Sequence, residues 1–263
     1  EENIVQLEVV MGQNVICVRS YIQIEKKVLQ PKKHKQIYII KKIILLNMKI
    51  AVSGASGKTG YRIVEEAKKK GFKIKQIIRE KSIIYKNIIN IENSRLSLNE
   101  SDALDDALKD VDALIIATGA RASIDLTGPA RIDYLGVYNQ LQSCKRVGLK
   151  RVILVSSLCT GKLFHPLNLF GLILIWKKLG ENQLKNEYFD WTIIRPGGLK
   201  EDENIKQQNI LYSSMDIQDK GSIPRRLVAK CCLETLKTKK SINKIIEITS
   251  STEQKKISLE KAI

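Results

Sequence analysis

A glycine-rich turn between a strand pattern and a helix pattern constrains the fold of this chain more than any other feature. Residues 49–53 form a short apolar run typical of a buried strand, and a second strand pattern follows at 72–78. Gly54, Gly57 and Gly60 lie between the first strand and the helix that precedes the second. In that order they permit a tight turn, the approach of a phosphate to the backbone, and close packing of the helix on the sheet. The context therefore predicts a dinucleotide site rather than an incidental turn.

The start of the helix after this turn predicts how a pyrophosphate would be bound. Its free backbone N–H groups and the positive end of its dipole attract a phosphate group. We therefore expect a dinucleotide to contact Gly54, Ser56, Gly57, Lys58, Thr59 and Gly60.

The residues after the second strand bear on the choice between NADP and NAD. An acid at this place would accept a hydrogen bond from the ribose of NAD, whereas a basic residue favours the 2′-phosphate of NADP. The chain has Arg79 here, with Ser82 nearby and Lys81 between them. Arg79 can form a forked contact with a phosphate, so NADP is the predicted cofactor. Glu80 leaves NAD open.

Strand patterns alternate with helix patterns along the chain. Apolar runs predict further strands at 113–117, 151–155, 191–195 and 244–249. Helices are expected from Ser101 (as the N-cap), over 128–146, 167–187 and 223–237. The alternation predicts an α/β protein with a doubly wound parallel sheet of the Rossmann type and helices on both faces.

The first 47 residues differ from the rest. They contain an apolar run broken by Lys41 and Lys42, with no sustained period of either a strand or a helix. We expect residues 1–47 to be a poorly ordered extension and residues 48–263 to form the NAD(P)-binding domain. Two alternatives stay open: a basic membrane-surface or targeting arm, or a start site assigned too early.

The charge balance is strongly basic, at +17. Lysines are spread along the whole chain and aromatic residues make up only 5% of it, so a solvated surface explains the charge better than a nucleic-acid site does. We expect a small-molecule acceptor or a protein as partner, no transmembrane helix and a cytoplasmic location, with peripheral membrane contact left open. The five cysteines have no metal-binding spacing, so no metal is predicted.

Several of these segments together resemble one enzyme class. The glycine turn, Arg79, 117–119, Ser156-Ser157 and the segment 190–198 are similar to the atypical short-chain dehydrogenase/reductases, the NAD(P)-binding branch that includes NmrA-like proteins. The similarity covers about residues 48–250, and the stretch 165–181 resembles a cyanobacterial and plastid group of epimerase/dehydratase-like proteins. The resemblance implies further cofactor contacts at Ala117, Thr118, Gly119, Ser156, Lys177 and Pro196.

The Ser-Tyr-Lys set of that class is incomplete here. The resemblance implies Ser157 and Lys177 as the catalytic serine and lysine, and the tyrosine position is then Ile173. Isoleucine cannot transfer a proton, so ordinary carbonyl reduction would lack its general acid. His165 is a possible substitute, although a loop role fits it better. A solvated helix face remains the alternative for Lys177, and strand-end hydrogen bonding for the two serines.

Two functions follow as hypotheses. The first is an NADP-dependent oxidoreductase that passes hydride to a small or hydrophobic acceptor, quinone-like or flavin-like, near Ser157, Ile173 and Arg195. Such an acceptor could take its proton from water, so the missing tyrosine matters less. The second is a non-catalytic protein that senses NADP and acts in regulation or assembly, which the apolar run after His165 also suits.

Overall fold

The computed structural model describes residues 48–120, 125–169, 171–186, 188–201, 208–253 and 255–263. The predicted extension, residues 1–47, lies outside the described residues, so its order and role stay predictions. No helix within the described ranges is both long and apolar enough to cross a membrane.

One eight-stranded sheet organises the described residues. Its strand order is β3-β2-β1-β4-β5-β6-β10-β8, and all neighbours run parallel except β8, which is antiparallel to β10. A second, two-stranded sheet pairs β7 with β9. The strands are β1 Lys49–Ser53, β2 Lys73–Ile78, β3 Asn93–Arg95, β4 Ala113–Ile116, β5 Arg151–Val155, β6 Asp190–Pro196, β7 Gly198–Lys200, β8 Asn209–Ser213, β9 Ser222–Pro224 and β10 Lys244–Ser251.

Helices cover both faces of the sheet, as predicted. The helices are α1 Lys58–Lys69, α2 Ser101–Leu108, α3 Gly136–Val147, α4 Ile173–Leu184, α5 Arg225–Thr235 and α6 Leu259–Ala262. Apolar residues of α1 and α5 form one buried cluster with alternate residues of the central strands. Residues of α2, α3 and α4 form the cluster on the opposite face. The order 3-2-1-4-5-6 within the sheet is that of the Rossmann fold, so the predicted fold class is confirmed.

Three details of the predicted elements are wrong. The helix expected over 167–187 is a short 3₁₀ turn, Pro166–Leu169, followed by α4, because Gly171 and Leu172 both adopt left-handed backbone conformations. Ser101 is the first helical residue rather than the cap, which is Glu100. Strands β3, β7, β8 and β9 were not expected, since they are short or lack a buried apolar run.

A buried ion cluster fixes α4 against the carboxyl ends of two strands. The Arg195 side chain at the end of β6 has no exposed surface, and it donates two hydrogen bonds to Glu181 of α4, at 2.9 and 2.8 Å. It also contacts Glu247 of β10 at 3.4 Å and Asp216 at 2.8 Å. Arg195 therefore has no surface left for an acceptor, and its expected place on the acceptor side is wrong.

The electrostatics of this cluster favour the charged guanidinium. Burial alone would lower the pKa of Arg195, but hydrogen bonds and Coulombic attraction from Glu181 and Asp216 outweigh it and raise the pKa. Glu247 in turn accepts backbone N–H groups of Asp216, Ile217 and Gln218 at 2.8 to 3.0 Å. The cluster therefore satisfies its buried charges and joins α4, β6 and β10.

We expect Arg195→Met to lower the free energy of unfolding by about 3–5 kcal/mol, because it leaves buried Glu181 and Glu247 without their counter-ion. Urea denaturation followed by circular dichroism measures the loss. The matched control is Arg131→Met, because the Arg131 side chain is 63% exposed and pairs with Asp125 on the surface, so the effect should be small. Equal losses in the two variants would contradict a special role for the buried cluster.

Candidate functional site

The glycine turn after β1 has the geometry of a phosphate cradle. Gly54 has a left-handed φ of 78°, and its N–H donates to the carbonyl of Ile77 in β2 at 3.0 Å. A Cβ on Gly54 would lie 2.9 Å from the backbone nitrogen of Thr118, and one on Gly60 would collide with the carbonyl oxygen of Gly54. Side chains at either position would therefore distort the turn, which fits a backbone kept open for a phosphate.

The start of α1 offers donors to an anion. Its first residue is Lys58, and the N-cap is Gly57, so no side chain caps the helix. No acidic residue lies in the first turn. The helix N-terminus therefore keeps backbone N–H groups and a positive dipole end that suit a pyrophosphate. Ser56 and Thr59 lie in the same turn.

A carboxylate from the segment after β7 also reaches the start of α1. Glu201, directly after β7, pairs with Lys58 at 2.9 Å and with Arg62 of α1 at 3.2 Å. Arg225 of α5 contacts the same carboxylate at 2.6 Å. The hydrogen bond from Lys58 is the main reason that the pKa of Glu201 lies below its usual value, and burial opposes the shift only in part. The Lys58 ammonium is therefore held near the turn.

The residues expected at the adenosine ribose lie together beside this turn. The Ser56 hydroxyl donates to that of Ser82 at 3.1 Å, which joins the glycine turn to the segment after β2. Arg95 of β3 donates to the carbonyl oxygens of Glu80 at 2.6 Å and Ser82 at 3.0 Å, so it shapes this segment. Sequence reasoning missed Arg95, because three-residue β3 carries no apolar pattern.

Arg79 and Glu80 both remain candidates for reading the ribose. Both side chains are exposed, and neither forms a hydrogen bond or ion pair with any residue that the structure describes. Arg79 is thus available for a 2′-phosphate and Glu80 for a 2′-hydroxyl.

A crevice at the carboxyl ends of β4 and β5 brings together Thr118, Ser156 and Lys177, three of the residues expected to contact the cofactor. The Lys177 ammonium donates to Asp133 Oδ1 at 2.7 Å, and Asp133 Oδ2 accepts the N–H of Ala120 at 3.2 Å. The Asp133 side chain is 2% exposed and that of Lys177 14%. The crevice is lined by Thr118, Asp133, Val137, Leu154, Val155, Ser156 and Lys177.

Thr118 gives this crevice an unsatisfied polar group. Its hydroxyl is buried and has no hydrogen-bond partner among the described residues. A buried hydroxyl without a partner costs free energy, so such a group fits a site that a ligand completes. Gly119, next along the chain, would place a Cβ 3.5 Å from the Lys177 ammonium. The glycine turn follows β1, which is the neighbour of β4 in the sheet. The turn and the crevice residues together fit a dinucleotide.

The two serines after β5 lie in different surroundings. Ser156 lines the crevice, but its hydroxyl donates to Glu181 at 2.7 Å, so it is engaged in the structure. Ser157 is half-buried, and its carbonyl oxygen accepts a hydrogen bond from the hydroxyl of Thr160. Pro196, at the end of β6, is buried, and its carbonyl oxygen accepts the N–H of Leu158 at 2.9 Å. Ala117 directly follows β4.

The other candidates have ordinary structural roles. Ile173 begins α4, four residues before Lys177, and packs against Leu158, Cys159 and Leu174. The His165 ring accepts the N–H of Leu167 at 3.2 Å through Nδ1, which fits the loop role.

The part of the chain that carries this site matches a known protein family. A family profile described as NAD(P)H-binding matches residues 54–239, which include the glycine turn, the crevice and the strands between them. The chain belongs to the NAD(P)H-binding family.

Individual relatives of this NAD(P)H-binding chain agree with that assignment. The Arabidopsis thaliana protein At2g34460, whose name calls it chloroplastic, is 34% identical over 222 residues, which cover 79% of each chain. Sanguinarine reductase of Eschscholzia californica is 26% identical over 245 residues, which cover 78% of this chain and 89% of that enzyme. The solved structure of an NAD-dependent epimerase/dehydratase-like protein from Bacillus halodurans has a TM-score of 0.68 at 26% identity, covering 78% of this chain and 95% of the other. The resemblance to the atypical short-chain dehydrogenase/reductases is confirmed.

The most informative residue that sequence reasoning missed is Asp133. It lies in a π-helical turn, Ala130–Leu135, directly before α3. Helix α4 comes close because Gly180 has no side chain, since a Cβ there would collide with the Asp133 carbonyl oxygen. π-Helical turns are frequent at functional sites, but only the tertiary structure shows that Asp133 meets Lys177.

We expect Lys177 and Asp133 to be energetically coupled, because removal of either charge leaves the buried charge of the other residue without a partner. Lys177→Met and Asp133→Asn should each lower the free energy of unfolding, and the double variant should lose about 2 kcal/mol less than the sum. A double-mutant cycle by urea denaturation measures this. The control cycle is Lys49→Met with Glu92→Gln, a more exposed pair, whose coupling should be much smaller. Additive losses at Lys177 and Asp133 would argue for a solvated lysine instead.

Proposed function

We propose that this chain is an NADP-dependent oxidoreductase that reduces a hydrophobic, quinone-like or flavin-like acceptor. One observation carries the proposal. The Lys177 ammonium, fixed 2.7 Å from Asp133, shares a crevice with the unpartnered Thr118 hydroxyl, next to a glycine turn with the geometry of a pyrophosphate cradle.

Each part of the site has a distinct role in this proposal. The glycine turn and the start of α1 bind the pyrophosphate, and Arg79 with Ser82 binds the 2′-phosphate. When bound, the nicotinamide supplies a hydride to the acceptor. Thr118 and Lys177 donate hydrogen bonds that orient the ribose and the carboxamide, and Ser157 orients the acceptor oxygen. Asp133 keeps the Lys177 side chain in one position.

The surroundings of Ile173 support a hydrophobic acceptor. A tyrosine at this position would serve as the general acid, whereas isoleucine offers only an apolar surface. The half-buried Ile173 packs with Leu158 and Leu174, and exposed apolar residues precede α4. A quinone or flavin gains its proton from water after reduction, so this site needs no acid of its own. That Ile173 takes the place of the catalytic tyrosine remains part of the proposal.

One relative bears on the choice between enzyme and sensor. Sanguinarine reductase, by its name, is an enzyme, and it aligns with 78% of this chain. That similarity supports a reductase over the non-catalytic sensing alternative. The predicted cytoplasmic location stays a prediction, and the word chloroplastic in the name of the Arabidopsis relative is a reason to test a plastid location beside it.

The cofactor part of the proposal is tested by calorimetric titration with NADPH and NADH. Arg79→Ala should weaken NADPH binding by about 1.5–3 kcal/mol, the size of a charge-assisted contact, and leave NADH binding nearly unchanged. Glu80→Ala is the matched variant, and it should weaken neither cofactor. A selective loss of NADH binding in Glu80→Ala would instead identify an NAD protein.

The acceptor part is tested by stopped-flow loss of NADPH absorbance across quinones, flavins and small carbonyl compounds. We expect turnover with a quinone or a flavin, slowed about tenfold or more in Lys177→Met because the cofactor is less well oriented. The control Lys178→Met changes the neighbouring lysine, which has no proposed contact with the cofactor. Cofactor binding without turnover of any acceptor would favour the sensing function.

A further inference from the structure

The segment between β5 and α4 presents apolar side chains to solvent. We call residues 162–169, 171 and 172 the apolar loop. Phe164 is 97% exposed and Leu169 is 81% exposed. Apolar residues exposed in a group indicate an interaction surface, whereas single scattered ones do not. Among the other described residues of the loop, Leu163, Leu167 and Leu172 are also exposed.

The loop is held in this conformation by a polar side chain that points inward. Asn168 is buried, and its amide donates to the carbonyl oxygens of Lys162 at 2.8 Å and Leu163 at 2.9 Å. Its side-chain oxygen accepts the N–H of Leu174 at 2.9 Å, at the start of α4. The loop thus satisfies its polar groups inside and keeps its apolar groups outside, the reverse of an ordinary solvent-facing loop.

The charged residues within the loop and the first half of α4 are all basic. From Ser157 to Gly180 the sequence contains no Asp or Glu, but it contains three lysines. Lys177 is paired with Asp133, so Lys162 and Lys178 supply the local positive charge. The side-chain carbons of Lys178 pack beside Gly161, which precedes the loop. They lie 3.5 Å from the position that a Cβ on Gly161 would occupy. Apolar side chains and lysines without acids suit the headgroup region of an anionic bilayer.

We propose that the apolar loop inserts Phe164 and its neighbouring leucines into the surface of an anionic lipid membrane, with Lys162 and Lys178 at the headgroups. A second copy of the chain fits less well. It carries the same +17 charge, and the acid-free loop offers nothing to pair with the lysines of a copy. An acidic protein surface would also match the lysines, but it predicts no binding of the chain to vesicles.

The lipid surface would lie beside the proposed active site. Helix α4 starts directly after the loop and carries Lys177 one turn later. If the proposed function holds, a membrane-dissolved acceptor would reach the crevice from this side. The lipid proposal itself does not depend on catalysis, because binding is measured without acceptor or cofactor.

The test is co-sedimentation of the full chain with vesicles of phosphatidylcholine alone and of phosphatidylcholine with phosphatidylglycerol. We expect binding to the anionic vesicles that weakens at high salt, and much weaker binding to the neutral ones. Phe164→Ser with Leu169→Ser should lower the partition coefficient on anionic vesicles about tenfold or more. The matched control is Ile89→Ser with Ile217→Ser, which removes exposed isoleucines elsewhere and should bind as the parent chain does.

A second measurement reports insertion directly. Phe164→Trp, in a chain whose two native tryptophans are replaced by phenylalanine, should be quenched by brominated lipids in anionic vesicles, and Ile217→Trp in the same background should not. No binding to either vesicle, or equal losses in the loop variant and the control, would overturn the proposal. So would a dimer in solution that only the loop variant dissociates, because the loop would then be covered by a second copy.

Discussion

The buried guanidinium of Arg195 is the interaction on which the arrangement of the site depends. It joins the end of β6 to Glu181 of α4 and to Glu247 of β10, with no exposed surface on the arginine side chain. Buried ion pairs add little net stability compared with apolar packing, but they are costly to break and fix relative positions. Lys177 lies one turn before Glu181 on the same helix, so its place in the crevice follows from a contact outside the crevice.

The fold was predictable where the signal is local. A buried strand shows as an apolar run and the cradle shows as glycine spacing, and both are contained within a few residues of β1 and α1. The strands that were missed depend on distant partners. The β7 strand is fully exposed and pairs with β9, while β8 is an antiparallel edge strand whose place is set by β10. Short strands of this kind carry no periodic pattern to find.

The site was predictable only in part, for the same reason. The resemblance led to Thr118, Ser156 and Lys177, which the structure brings into one crevice. It also led to Arg195, whose role was misread. Ile193 packs on the face of the sheet covered by α2, α3 and α4, so Arg195, two residues later, points to that face as well. Alternation along β6 predicts which face of the sheet Arg195 lies on, but it does not predict that Glu181 of α4 lies on the same face and binds it.

Helix α4 joins the two properties proposed for this protein. Gly180 lets α4 pack closely on the π-helical turn that contains Asp133. Asp133 then holds Lys177 in place from outside α4. At its other end the helix begins where Asn168 anchors the apolar loop, through the N–H of Leu174. Asn168 therefore links the loop to the first turn of α4, where Ile173 stands four residues from Lys177. The surface that would meet lipid and the lysine that would orient the cofactor are thus joined through the start of one helix.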